Sequence, residues 1–71
     1  MNKERFREIM REEKFTKEFS EEMWAGEVGV AIRSGEQPDE HYEARTRATC
    51  QTLYPLALAV GVATDTDNDW E

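Results

Sequence analysis

Phe6, Ile9 and Met10 recur at the i, i+3, i+4 spacing of one helical face, and nearly every other position from 3 to 14 is charged. Asn2 stands where an N-cap belongs, so a first helix is predicted to start there. Phe15 does not continue the stripe. At ~100° per residue it would fall opposite Phe6 on a continuous helix. A break is therefore expected at 14–16, with Thr16 capping a second helix and Glu18 in its first turn, where the helix dipole favours a negative charge. That second helix is predicted over 17–33. Phe19, Met23, Gly26 and Val30 share one of its faces, while Trp24, Val28, Ala31 and Ile32 populate others. A helix apolar over so much of its surface is expected to be central. Ser34-Gly35 should end it, with Gly35 in the left-handed C-cap conformation. Residues 36–39 read as a short turn, and Asp39 as the cap of the next helix.

Tyr42, Thr46, Thr49, Leu53, Leu56 and Val60 keep a 3/4 spacing and predict a last helix from about Glu40. Pro55 lies inside that pattern. It removes one backbone donor and clashes with the carbonyl four residues earlier, so a kink or a split is expected. Residues 64–71 are polar with four spaced carboxylates, and disorder is expected there. The resulting fold class is all-α: a small, kinked three-helix bundle over 1–63 with an acidic tail over 64–71. A competing α+β reading exists. Val28, Val30 and Ile32 alternate with Gly29 and Ala31, and Leu56, Leu58, Val60 and Val62 alternate with Ala57, Ala59 and Gly61. Val-Gly-Val-Ala occurs at both 28–31 and 60–63. Period 2 with β-branched residues would make strands over 27–33 and 56–63. Two strands alone make a poor sheet, and the many alanines also serve close helix packing, so the helical reading leads.

Size and charge narrow the function. A chain of 71 residues is one domain. It buries only about 60% of the surface its unfolded form exposes, so its core is thin and self-association or a partner can add burial. The net charge of −7 divides as −1 over residues 1–24, −2 over 25–50 and −4 over 51–71. Direct binding to nucleic acid is disfavoured, because phosphate contacts need clustered Lys and Arg. Another protein with a basic surface is the partner such a field attracts. The apolar run 53–63 has half the length needed to span a bilayer, and the first residues are charged rather than apolar, so neither a membrane span nor a secretory leader is expected. Cys50 is the only cysteine. It allows no internal disulfide, and a reducing cytoplasmic setting fits best.

Candidate chemistry is sparse. Glu18 and Glu21, then Glu40 and Glu43, form two Glu-x-x-Glu pairs. The pattern is similar to the magnesium-binding pattern of the all-α nucleotide pyrophosphatases, the MazG-like family, although that family ends its pattern in Asp where Glu43 stands. The resemblance implies four carboxylates on facing helices holding divalent cations. The opening Asp65-x-Asp67-x-Asp69 resembles that of an EF-hand loop. Trp70 replaces its sixth-position glycine, so no calcium site is expected. One Cys and one His build no zinc site, and His41 and Cys50 point in opposite directions on one helix, so they form no nucleophile–base pair. No cofactor is expected.

Thr16, Glu18, Glu22, Gly26 and Glu27 also match, without a gap, a box in small phage and prophage proteins. The two histidines of that box are Phe19 and Met23 here, so any role they have there is lost. The resemblance implies a mobile-element origin and assigns no activity.

The leading expectation is a small acidic module that binds another protein, such as a phage-type modulator or inhibitor of a nucleic-acid-handling host protein. Trp24 reads first as a core residue and otherwise as an interface anchor. Trp70 either folds back onto the thin core or docks into a partner's groove. One of them would be the apolar anchor, with Asp65, Asp67 and Asp69 supplying the field. It is expected not to be an enzyme. The alternatives are a minimal magnesium-dependent nucleotide hydrolase using Glu18, Glu21, Glu40 and Glu43, and a self-assembling subunit, most simply a homodimer.

Overall fold

The computed structural model describes residues 1–66 and Trp70. Among the described residues the chain forms four α-helices and no strand: α1 (Lys3–Glu12), α2 (Lys17–Ala25), α3 (Glu27–Ser34) and α4 (Asp39–Val60). The all-α class holds, and the two Val-Gly-Val-Ala segments are not paired strands. Residue 60, where the second repeat begins, ends α4, and Val28 and Val30 lie within α3.

α1 starts as its sequence dictates. The Asn2 side chain accepts a hydrogen bond from the Arg5 N–H at 2.9 Å. Phe6, Ile9 and Met10 are fully buried. The helix ends where the stripe ends. Lys14 adopts φ 69°, its N–H bonds to the Arg11 carbonyl at 3.0 Å, and the Phe15 N–H bonds to the Met10 carbonyl at 3.0 Å. This is a Schellman closure, with Phe15 and Met10 both in the core. A lysine in this left-handed position carries a penalty of ~1 kcal/mol that glycine avoids. Lys14→Gly should therefore raise stability by about 1 kcal/mol in urea unfolding, with the same helical signal.

Thr16 caps α2 by accepting from the Phe19 N–H at 3.3 Å. The single helix expected over 17–33 is in fact two. α2 stops at Ala25, and Gly26 (φ −92°, ψ −157°) serves as the cap of both α2 and α3. The cause is a close approach. α3 folds back against α2 until the backbone of Gly29 meets that of Trp24, and a Cβ at Gly29 would lie 1.5 Å from the Trp24 carbonyl oxygen. The expected central role also moves. α1 packs against both α2 and α4 and buries its whole apolar face, whereas α2 keeps Phe19, Met23 and Trp24 only half-buried.

Gly35 ends α3 in extended backbone (φ −75°, ψ 156°), not in the expected left-handed form. Glycine is needed there because a Cβ would lie 1.7 Å from the Tyr42 hydroxyl oxygen, which accepts from the Gln37 N–H at 3.1 Å. Asp39 is the first residue of α4 rather than its cap, a position that Pro38 occupies. α4 has 22 residues and runs through Pro55 without the expected split. Pro55 lies on the exposed side of the helix, so the Gln51 carbonyl left without its donor faces water. At 1.5 Å per residue α4 is about 33 Å long, the full 33 Å extent of the molecule.

Gly61 (φ 83°) closes α4, with its N–H on Leu58 and the Val62 N–H on Ala57. The chain then returns to the α1–α2 junction rather than leaving the fold. Phe15 and Ala63 form an antiparallel bridge, the Thr16 N–H bonds to Val62 at 2.9 Å, and the Thr64 N–H bonds to Lys14 at 2.8 Å. The Tyr54 hydroxyl donates to the Thr64 carbonyl. Trp70 is buried, 9% exposed, and its Nε1–H donates to the Phe15 carbonyl at 3.2 Å. The disorder expected after residue 63 is thus corrected for 64–66 and Trp70. The expectation for 67–69 and 71 lies outside the described residues.

Candidate functional site

Two surfaces stand out, one by its charge and one by its lack of charge. The charged surface arises from how the bases are used. Lys3 and Arg7 on α1 reach Glu21 on α2 at 2.9 and 3.5 Å. Arg5 binds Glu8 at 3.2 Å and Glu43 on α4 at 2.9 Å. Arg47 on α4 binds Glu12 at 2.6 Å and Glu13 at 3.1 Å. Arg33 lies 5.1 Å from the Trp24 ring centroid and donates to the Trp24 carbonyl at 3.1 Å. Five of the nine bases are therefore engaged inside the molecule. Glu18, Glu22, Glu27, Glu36, Glu40 and Asp65 are exposed and make no ion pair among the described residues. Each internal pair is solvent-accessible and contributes little stability alone. Outside these pairs, Arg11, Lys17 and Arg45 are also exposed, so the outward surface is mixed with acids in excess.

This network also decides the fate of the carboxylate quartet. The hydrogen bond from Lys3 holds Glu21 below the usual carboxylate range, and the hydrogen bond from Arg5 does the same for Glu43. Arg5 and Arg47 are raised in turn, chiefly by Glu43 and Glu12. Glu18 and Glu40 stay in solvent. The four do not converge, and among the described residues no group of three or more His, Cys, Asp or Glu is placed to hold a metal ion. A depressed folded-state pKa stabilises the fold above the unfolded value near 4.3 and stops doing so as pH falls through the folded value. Stability should thus decline as pH falls below about 5, and Glu43→Gln should flatten that decline in thermal melts.

The second surface is a groove between α3 and α4. α3 packs on α2, α4 packs on α1, and α3 and α4 barely touch. The space between them holds about 160 Å³ and is lined by Met23, Val28, Ala31, Ile32, Tyr42, Arg45, Thr46, Thr49 and Cys50. A shallower depression bounded by Ala48, Thr49, Thr52 and Leu53 continues it along α4. Below that, Leu56 and Val60 are 63% and 64% exposed. All six exposed large apolar residues (Val28, Val30, Leu53, Leu56, Leu58 and Val60) belong to α3 or α4. Residues 48–64 carry no charge at all, in a chain that is 35% charged.

The single residues fall into place around these surfaces. The Trp24 ring sits 5.4 Å from Phe6 on one side and beneath Arg33 on the other, so it ties α1, α2 and α3 together. Of the two readings of Trp70, folding back onto the core holds and the free partner anchor does not, with Arg7 5.9 Å from its ring centroid. Asp65 is exposed as expected, while Asp67 and Asp69 lie outside the described residues. His41 is exposed on the first turn of α4, edge-on to Tyr42. Cys50 is buried with its Sγ 3.4 Å from the Met10 Sδ, and burial pushes its thiol up to about 12. It stays protonated and unreactive at neutral pH. Periodicity hid the groove, because Thr49, Leu53, Leu56 and Val60 read as core positions of the last helix. In the structure α4 buries Cys50 and Ala57 instead.

No protein-family model, curated protein or solved structure matches this chain. Among the described residues no helix is long and apolar enough to cross a membrane.

Proposed function

We propose that this chain is a small protein-binding module that presents an acidic surface to a basic, nucleic-acid-handling protein and modulates or inhibits it. The observation that carries the reading is the internal use of the bases. With Lys3, Arg5, Arg7, Arg33 and Arg47 engaged inside the molecule, the exposed acids Glu4, Glu18, Glu22, Glu27, Glu36, Glu40 and Asp65 outnumber the exposed bases Arg11, Lys17 and Arg45, in keeping with the net charge of −7. Such a field speeds encounter with a basic surface and excludes acidic ones. The likeness of 15–28 to a phage box is the reason to seek the partner among host enzymes and on the cytoplasmic side. The magnesium-hydrolase alternative has less support, because α1 cations already neutralise Glu21 and Glu43, two of its four carboxylates.

The test is capture from host extract on the immobilised full chain, compared with a variant carrying Glu18→Gln, Glu22→Gln and Glu36→Gln. These side chains are exposed, so the helical signal should be unchanged. The native chain should retain a basic protein, identified by mass spectrometry, that the triple variant retains poorly. Equal retention by both chains would refute the acidic surface as the contact.

A further inference from the structure

We propose that the groove between α3 and α4 binds a small apolar carboxylate, with a body the size of a single ring and one anionic head. The walls of this groove are fixed by contacts elsewhere. α3 is held on α2 by the close approach of Gly29 to Trp24 and by Arg33 over the Trp24 ring. α4 is held on α1 by the Arg5–Glu43 and Arg47–Glu12 pairs. α3 cannot close onto α4 without leaving α2, so the gap between them persists. It also reaches the core, because Ile32, Tyr42, Thr46 and Cys50 line it and are all buried. A preformed concave site of this kind spares a ligand the cost of opening it.

The lining selects the ligand. Met23, Val28, Ala31 and Ile32 offer only apolar side chains. The two buried hydroxyls are engaged with the chain itself. Thr46 donates to the Tyr42 carbonyl at 2.7 Å, and the Tyr42 hydroxyl accepts from the Gln37 N–H at 3.1 Å. The ligand body therefore need bring no polar partner to the floor. Its size follows from the volume of about 160 Å³, since an apolar cavity of ~150 Å³ admits one benzene ring. The head follows from charge. Arg45 is the one charged residue of the lining, and it makes no ion pair among the described residues. No acid lines the groove, so an amine finds no counter-charge there. The planar guanidinium suits a carboxylate, and Thr49, one turn further along α4 and also exposed, adds a hydroxyl at the same rim.

The full chain at neutral pH can be titrated with phenylacetate and with its neutral counterpart 2-phenylethanol, read by two-dimensional NMR. Phenylacetate should saturate one site with a dissociation constant on the order of 1 mM or below. The signals that move should be those of Met23, Val28, Ala31 and Ile32. The alcohol should bind about five- to tenfold more weakly. Arg45→Gln should weaken phenylacetate to the level of the alcohol and leave the alcohol unchanged. Lys17→Gln removes the same charge from an exposed position on α2 and should leave both affinities as they are. Ala31→Leu fills the groove from an exposed position of α3, so it should abolish binding of both compounds while the helical signal persists. No saturable shift up to about 10 mM phenylacetate would overturn the proposal. So would native affinity in the Arg45→Gln or Ala31→Leu chain, or equal binding of the acid and the alcohol.

Discussion

Gly29→Ala should destabilise this protein by on the order of 3 kcal/mol. The new methyl carbon would sit 1.5 Å from the Trp24 carbonyl oxygen and 2.4 Å from its carbonyl carbon, and both are backbone atoms that cannot rotate away. Relief requires α3 to move off α2, which would also take Arg33 from the Trp24 ring. Urea unfolding should show a lower midpoint, and the tryptophan emission should shift to the red. The sign of the effect is diagnostic. If 17–33 were one continuous helix, as its periodicity suggests, Ala at 29 would be a better helix former than Gly and would stabilise by up to ~1 kcal/mol. Gly26→Ala is the control. Its Cβ would meet the Glu22 carbonyl oxygen at 3.3 Å, a tight contact that a shift of a few tenths of an ångström relieves, and its φ is negative, so the cost should be well below that of Gly29→Ala.

Trp70→Ala should be the most damaging single change near the C-terminus, at about 3–5 kcal/mol. The indole is buried beside Phe6, Met10 and Phe15 in one core, and its N–H satisfies the Phe15 carbonyl. A chain of 71 residues at ~0.05–0.15 kcal/mol per residue has only about 4–10 kcal/mol in total. The variant should therefore be partly unfolded at room temperature by circular dichroism. Trp70→Phe keeps most of the ring packing and loses the donor, so its cost should be nearer 1 kcal/mol. A Trp70→Ala chain with native stability would mean that the indole only rests on the surface.

The local features of this fold were legible from spacing. The Asn2 cap, the break at 14–16, the Thr16 cap and the periodic run of α4 each depend on neighbours within four residues. The features that spacing hid depend on contacts far apart in the chain. Gly26 looked like one more small residue on a helical face, because its role as a hinge appears only when α3 lies on α2. Pro55 looked like a break, because periodicity does not say that its ring faces solvent. Trp70 stayed open between core and anchor, because nothing in an acidic stretch announces that residues 62–64 pair with the α1–α2 junction. The carboxylate quartet had its spacing, but spacing alone could not reveal that α1 would place Lys3 and Arg7 against one acid and Arg5 against another. The acidic surface was legible as a net charge and not as a place, since its location depends on which acids the bases neutralise.

The proposed acidic contact is tested most directly by the affinity of the full chain for its captured basic partner, measured across a range of salt concentrations. If the exposed acids make the contact, the dissociation constant rises steeply with salt, and the Glu18, Glu22 and Glu36 to Gln variant shows a shallower slope. A dissociation constant that does not change with salt, or a slope unaltered in the variant, would contradict the account.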